Sequence, residues 1–240
     1  MIEIWFIRHG QASFGADDYD RLSSAGIRQS ELLGKYLSAA AVRFDRVWSG
    51  TMRRQKDTAV YALGGTLPEL DPGFNEFDAE TVFRERFPAE AARLGMPADI
   101  DAIVSDRKLF QSVFSRIMHQ WVNAEISVQG VTPYDNHLLH LGKSLARVLE
   151  AGSPGQRIGI FTSGGVISMV LQICLDISPS NALRYCWQIK NSSVTRMTAE
   201  RQTPDRDGAD GIDRFNLSLA EFNSLVHLEP ENDSGLITFR

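Results

Sequence analysis

A histidine between an arginine and a glycine, Arg8-His9-Gly10, directly follows an apolar run from Ile2 to Ile7. A neutral imidazole is a nucleophile, and a guanidinium beside it offers a planar fork of donors to phosphoryl oxygens. The glycine lets backbone approach another group closely. A second cationic stretch, Arg53-Arg54, stands at the start of an expected helix. Two cations there oppose the helix macrodipole, so an anion is expected among them, and a helix N-terminus with an arginine is a ready phosphate site. Glu76 lies in Phe74-Asn75-Glu76-Phe77, where flanking aromatics favour the protonated carboxyl group that a general acid needs. Thr162-Ser163-Gly164-Gly165 offers backbone N–H groups to an anion. Its spacing fits neither a P-loop, a dinucleotide-binding fingerprint nor a Gly-x-Ser-x-Gly elbow. Taken singly, each stretch also fits ordinary structure: a strand ending in polar residues, solvated arginines, a surface carboxylate.

The elements that must position these groups alternate between strand and helix. Ile2–Ile7 reads as a buried strand. Leu22-Ser23-Ser24 opens a helix capped by Ser23 or Ser24, with Ile27, Leu32, Leu33, Tyr36 and Leu37 facing the core. A short strand, Arg46-Val47-Trp48, ends at Ser49-Gly50, and a helix runs from there to Gly64-Gly65. Residues 67–73 read as extended and turn-rich. From Ala79 to Glu150 the chain reads mostly helical, punctuated by Pro88, Pro97 and Pro133. Phe110, Val113, Phe114, Ile117 and Trp121 recur there at helical spacing as one apolar face, a pattern typical of core, and His119 is assigned to that packing. Arg157–Phe161 is a second buried strand and Val166–Leu175 an apolar helix. A short helix follows Ile177-Ser178-Pro179. Ser193–Met197, Arg214–Phe222 and an edge strand at Leu236–Phe239 complete the expectation.

Composition limits the function classes. The net charge of −5 gives no basic footprint for nucleic acid. No segment has the length and apolarity of a membrane span, and no secretory leader is recognisable. The two cysteines, Cys174 and Cys186, read as buried free thiols, and these features together point to a cytoplasmic protein. His137 and His140 are one helical turn apart, but no Cys or carboxylate cluster accompanies them, so pocket-edge or surface histidines are expected rather than a metal pair. Asp205, Asp207, Asp210 and Asp213 miss the EF-hand pattern, because its fifth and sixth positions would be Ala209 and Asp210. No metal and no cofactor is expected.

In their order along the chain, these stretches resemble the histidine phosphatase superfamily, also called phosphoglycerate mutase-like. Arg8-His9-Gly10 matches its R-H-G signature, and Leu22 to Gln29 its L-[ST]-x-x-G-x-x-Q helix start. Ser49 through Arg54 to Thr58-Ala59 matches S-S-x-L-x-R-x-x-x-T-A, a register that selects Arg54 over Arg53. Phe74-Asn75-Glu76 matches L-x-E. Asn191 to Val194 and Phe222-Asn223 resemble the family's closing strands. The resemblance covers nearly the whole chain. It implies a three-layer α/β fold with a mostly parallel central sheet flanked by helices. Residues 1–240 would form one domain, with a helical insertion at about 79–150 over the sheet's carboxyl edge. It further implies that His9 takes the phosphoryl group, that Arg8 and Arg54 bind phosphate with Ser163 and Gly164, and that Glu76 is the proton donor.

Two positions depart from the family pattern. The family's S-H-G-G has a second phosphate-binding histidine where this chain has Ser163. Gly15 stands where an asparagine commonly follows the signature. The expected function is metal-independent hydrolysis of a small-molecule phosphomonoester. Alternatives are a mutase-type transfer or a weakened member that binds a phosphorylated ligand without turnover. Gln11, Phe14, Phe77 and His137 are candidate substrate-pocket residues, Phe14 and Phe77 favouring a bulky or amphipathic ester. A homodimer is left open, and no residue pattern decides the oligomeric state.

Overall fold

The computed structural model describes residues 1–13, 20–202 and 211–239. Phe14 and Gly15, and likewise Asp205, Asp207 and Asp210, lie outside them. Strands β1 (Ile2–Arg8), β2 (Arg46–Ser49), β3 (Glu69–Leu70), β4 (Arg157–Thr162), β5 (Val194–Arg201) and β6 (Phe215–Ser224) form one sheet in the order β3-β2-β4-β1-β5-β6. The helices are α1 (Ser24–Ala39), α2 (Arg53–Ala62), α3 (Ala79–Arg93), α4 (Ile100–Ser105), α5 (Arg107–Val122), α6 (Tyr134–Glu150), α7 (Gly164–Leu175) and α8 (Pro179–Cys186). By internal contacts the described chain divides into two compact units, Met1–Glu76 with His140–Arg240, and Phe77–Leu139. No helix among the described residues is long and apolar enough to cross a membrane.

The first unit is the sheet and its helices. β3, β2, β4 and β1 run parallel, while β5 and β6 add antiparallel pairings. β1 is flanked on both sides, so its apolar run is buried at nearly every position instead of alternating. Trp5, Ile7, Phe161 and Val194 pack with Leu33 and Leu37 of α1 and Ala59 and Ala62 of α2. Ile4, Phe6, Ile158 and Ile160 are also fully buried. The register pairs Arg8 with Thr162 and Ser49 with Phe161, so the carboxyl ends of β1, β2 and β4 lie side by side. In α/β sheets that edge is where ligands bind.

The second unit is helical. Phe83 stacks on Phe87 with ring centroids 5.3 Å apart, Phe110 on Phe114 at 5.4 Å, and Phe110 meets Phe83 edge-on at 5.2 Å. Val113, Ile117 and Trp121 of α5 are buried, so the aromatic stripe is the packed interior of this unit. Glu90 is buried against Arg93 and Arg116, whose bonds and charges hold its carboxyl below the usual range against the opposing effect of burial.

Several local expectations are corrected. Pro88 lies inside α3 and does not interrupt it. It is exposed while Phe87 and Ala91 are buried, so water can reach the carbonyl that its missing N–H leaves unpaired. Leu236–Phe239 is not a strand. A 3-10 turn occupies Ser234–Leu236, and the segment is held by one side chain and one backbone group: Gln29 Nε2 donates to Leu236 O at 2.7 Å, and the Asn191 backbone N–H to Thr238 O at 2.9 Å. The stretch read as extended and turn-rich holds, in keeping with that reading, the two-residue strand β3 and then a 3-10 turn at Pro72–Phe74. Cys174 and Cys186 are free thiols, and each residue is partly exposed although the Cys186 thiol itself is buried.

Candidate active site

His9 is 5% exposed at the end of β1. Its Nδ1 lies 2.7 Å from Gly10 O, and a carbonyl only accepts, so Nδ1 carries the proton and Nε2 the lone pair. The assignment agrees with Arg54, whose Nε–H donates to His9 Nε2 at 3.2 Å. Burial, then Arg54 and Arg8, push the His9 pKa well below the usual range, against a smaller opposing effect from the Gly10 carbonyl. The imidazole is therefore neutral at physiological pH, with its nucleophilic nitrogen facing a guanidinium.

The backbone around His9 is fully engaged. His9 N–H donates to Thr162 O at 2.8 Å, and His9 O accepts from Ser192 N–H at 3.2 Å and from Asn191 Nδ2 at 3.3 Å. Gly10 N–H donates to Thr58 Oγ1 at 2.9 Å, and Thr58 Oγ1 donates to Arg54 O at 2.7 Å. The Thr58 of the helix motif thus ties α2 to the His9 turn. Gly10 does provide close approach, but to α1: a Cβ there would lie 2.5 Å from Gly26 O. Behind this turn His227, 3% exposed, bonds through Nε2 to Ser192 Oγ at 2.9 Å, and burial holds its pKa down to about 4.

Arg54 is 7% exposed, whereas Arg53 points outward toward Asp57 at 3.4 Å. The anion demanded by the cationic start of α2 is Asp20. Its carboxylate accepts from Arg54 Nη1 at 2.8 Å and from Arg53 N–H at 2.7 Å. Asp20 was not legible as a site residue, since it is 34 positions from its partner. Arg8 donates from Nη1 to Ile189 O and from Nη2 to Phe239 O at 2.9 Å. Its guanidinium passes beside Gly164, where a Cβ would lie 3.5 Å from Arg8 Nε.

Glu76 is delivered by a braced turn. Asp71, 5% exposed, accepts from Gly73 N–H at 2.9 Å, Ser144 Oγ at 2.9 Å and Arg147 Nη2 at 2.6 Å. Phe74 O then accepts from Thr162 Oγ1 at 2.7 Å and Gln55 Nε2 at 3.0 Å. Glu76 Oε2 accepts from Gly165 N–H at 3.1 Å, in the first turn of α7. An N–H expected to serve phosphate is thus taken by this carboxylate. Cys186, also missed, lies close enough to feel both Glu76 and Arg8: burial and the carboxylate push its thiol up to about 12, with Arg8 and a bond to Ser168 opposing.

Ser163 is fully buried and accepts from Gln55 Nε2 at 2.7 Å. The remaining candidates lie differently. Gln11 Oε1 accepts from Ser23 Oγ at 2.9 Å, so that side chain is bound to the start of α1. Phe77 and His137 belong to the helical unit, where Phe77 meets Trp121 at 5.1 Å, Tyr134 at 6.4 Å and His137 at 6.4 Å. Among the described residues no three His, Cys, Asp or Glu side chains gather as a metal-ligand set.

Residues 4–108 match the histidine phosphatase superfamily (branch 1). Among solved structures, a phosphoserine phosphatase from Entamoeba histolytica in complex with 3-phosphoglyceric acid is 18% identical at a TM-score of 0.59, over 95% of this chain and 100% of that one. A mycobacterial glucosyl-3-phosphoglycerate phosphatase with inorganic phosphate is 17% identical at 0.62, over 94% and 98%. A putative α-ribazole-5′-P phosphatase from Escherichia coli K-12 is 16% identical at 0.61, over 94% and 99%. A search of curated proteins returns no match. At these identities the solved structures speak to fold. The family match runs through the strand end that carries His9 and the helix that carries Arg54, and the solved structures share the chain's fold.

Proposed function

We propose that the protein is a phosphomonoester hydrolase working through a phosphohistidine on His9, without a metal. The observation that supports this most is the fixed tautomer. Nδ1–H is bound to Gly10 O, and Nε2 keeps its lone pair beside Arg54. In the first step Nε2 attacks phosphorus, the P–O bond to the alcohol breaks, and Glu76 gives its proton to the leaving oxygen. In the second, Glu76 takes a proton from water, the oxygen attacks phosphorus, and the P–N bond returns its electron pair to Nε2, releasing inorganic phosphate. Arg54 turns its donors from His9 onto the equatorial oxygens as charge develops there, with Asp20 fixing the guanidinium plane. Arg8, tied to two carbonyls, contributes mainly its field.

The test is hydrolysis of an aryl phosphate by metal-free protein beside His9→Ala. Turnover that vanishes in the variant supports the reading. Turnover that persists at the wild-type rate overturns it. If both proteins are inert but wild type binds inorganic phosphate, a binding role replaces it, a reading motivated by the neutral Ser163 in place of a charged histidine.

A further inference from the structure

The position opposite His9 is built around an amide. Gln55 and Ser163 are both fully buried. Gln55 Nε2 donates to Ser163 Oγ at 2.7 Å and to Phe74 O at 3.0 Å. A carbonyl only accepts, so an amide turned end for end would set oxygen against oxygen at Phe74. The NH₂ end must face Ser163. Ser163 Oγ is thereby an acceptor toward Gln55, and its own hydrogen is left to donate elsewhere. Ser163 follows Thr162 and His9 follows Arg8, and Thr162 and Arg8 are register partners on adjacent parallel strands. The hydroxyl therefore leaves the sheet beside the nucleophile.

Room for the amide comes from two small neighbours. A Cβ at Gly50 would lie 2.0 Å from Gln55 Oε1, and Gly50 occupies the second serine position of the helix motif. Ser163 is small where the family has histidine. Gln55 Oε1 is buried with no hydrogen-bond partner among the described residues. A methionine would fill the same space without stranding an oxygen, so what glutamine adds beyond volume is two directed N–H groups.

The geometry points to Gln55 as a positioning residue that orients the Ser163 hydroxyl as a fixed neutral donor to a phosphoryl oxygen, in place of the second histidine. This rests on the phosphatase reading above, so the test carries two probes on the full chain: an aryl phosphate for turnover and inorganic phosphate for binding by calorimetry. Gln55→Glu reverses the polarity, because a carboxylate accepts from Ser163 and draws its hydrogen away. At pH 8, kcat should fall about a hundredfold and phosphate should bind about tenfold more weakly. Both should recover toward pH 5.5 as the introduced carboxyl is protonated, measured relative to wild type at each pH so that the parent's own pH dependence divides out. Gln55→Met keeps the volume and covers the case in which a buried carboxylate unfolds the chain. It should cost about tenfold in kcat, and nothing further in a Ser163→Ala background.

A methionine variant equal to wild type, a glutamate loss that acid does not reverse, or Gln55 and Ser163 losses that simply multiply would each overturn the inference. Absent turnover with phosphate binding that still follows Gln55 upholds the inference and removes the phosphatase reading. Robust turnover indifferent to Gln55 does the reverse. A wild-type protein that neither turns over the ester nor binds phosphate overturns both.

Discussion

The ends of β1 and β4 lie side by side and are built on different physics. At the end of β1, His9 sits among charges: Arg54 on its lone pair, Arg8 beside it, and Asp20 holding Arg54 in place. At the end of β4, Ser163 sits among neutral groups, with the Gln55 amide on one side and the Phe74 carbonyl behind it. Burial, with the guanidiniums of Arg54 and Arg8, already holds His9 neutral. A second imidazole in the same cluster would be depressed by the same charges and would enter the pH dependence. The neutral pair adds a donor without adding a titration, so the acid limb of kcat/KM should lie below the pH 6.5 of an ordinary histidine.

The largest expected effect comes from removing charge at the β1 end. Arg54→Ala should lower kcat by about 10³-fold, since it loses both a donor and its charge on the transferring group. Asp20→Asn should cost about tenfold in kcat, because it loosens Arg54 without removing it. Steady-state kinetics checks the pair, and an Asp20 variant as damaged as Arg54→Ala would give the carboxylate a direct role.

At the β4 end, Ser163→His alone should lower both turnover and melting temperature. The ring needs the space Gln55 fills, and overpacking a buried site costs about 1–3 kcal/mol. Combined with Gln55→Ala, the ring gains room, and turnover should reach or exceed wild type. A gain from Ser163→His by itself would show that the amide does not occupy the space such a ring needs.

The smallest effect concerns stability. His227 is held to about 4 by burial, below the 6.5 of the unfolded chain. Below pH 6.5 the unfolded state takes a proton that the folded state refuses, so stability falls as pH drops from about 6.5 to about 4. The loss is on the order of 3 kcal/mol. Denaturant melts across that range should be flatter in His227→Gln. An unchanged slope would mean that His227 is charged in the folded protein.

What the sequence made legible follows the same division. β1, β4 and α7 are apolar runs bounded by polar turns, and of the two serines offered as the cap of α1 it is Ser23 that accepts from Gly26 N–H, at 3.1 Å. His9 and Ser163 could be singled out because each follows a buried strand, and Glu76 because aromatics flank it, whereas Arg54 was separated from Arg53 only by the register of the motif the chain resembles. The demand for an anion at the cationic start of α2 was also legible, but its answer, Asp20, was not, because that pairing exists only once the chain has folded. Gln55 was invisible for the same reason: inside a helix, nothing local separates a buried amide from a solvated one. Leu236–Phe239 has strand-like residues, yet Gln29, Asn191 and Arg8 satisfy its backbone in place of a neighbouring strand. β3 contributes only two paired residues, too few to leave a periodic pattern.

The most direct test of the account is to trap the intermediate. Metal-free protein is mixed briefly with an aryl phosphate, quenched in alkali to preserve phosphohistidine, digested, and read by mass spectrometry. The account predicts one acid-labile phosphoryl group, on His9 and absent from His9→Ala. Ester hydrolysis with no phosphoryl group on His9, or with one on another residue, would contradict it.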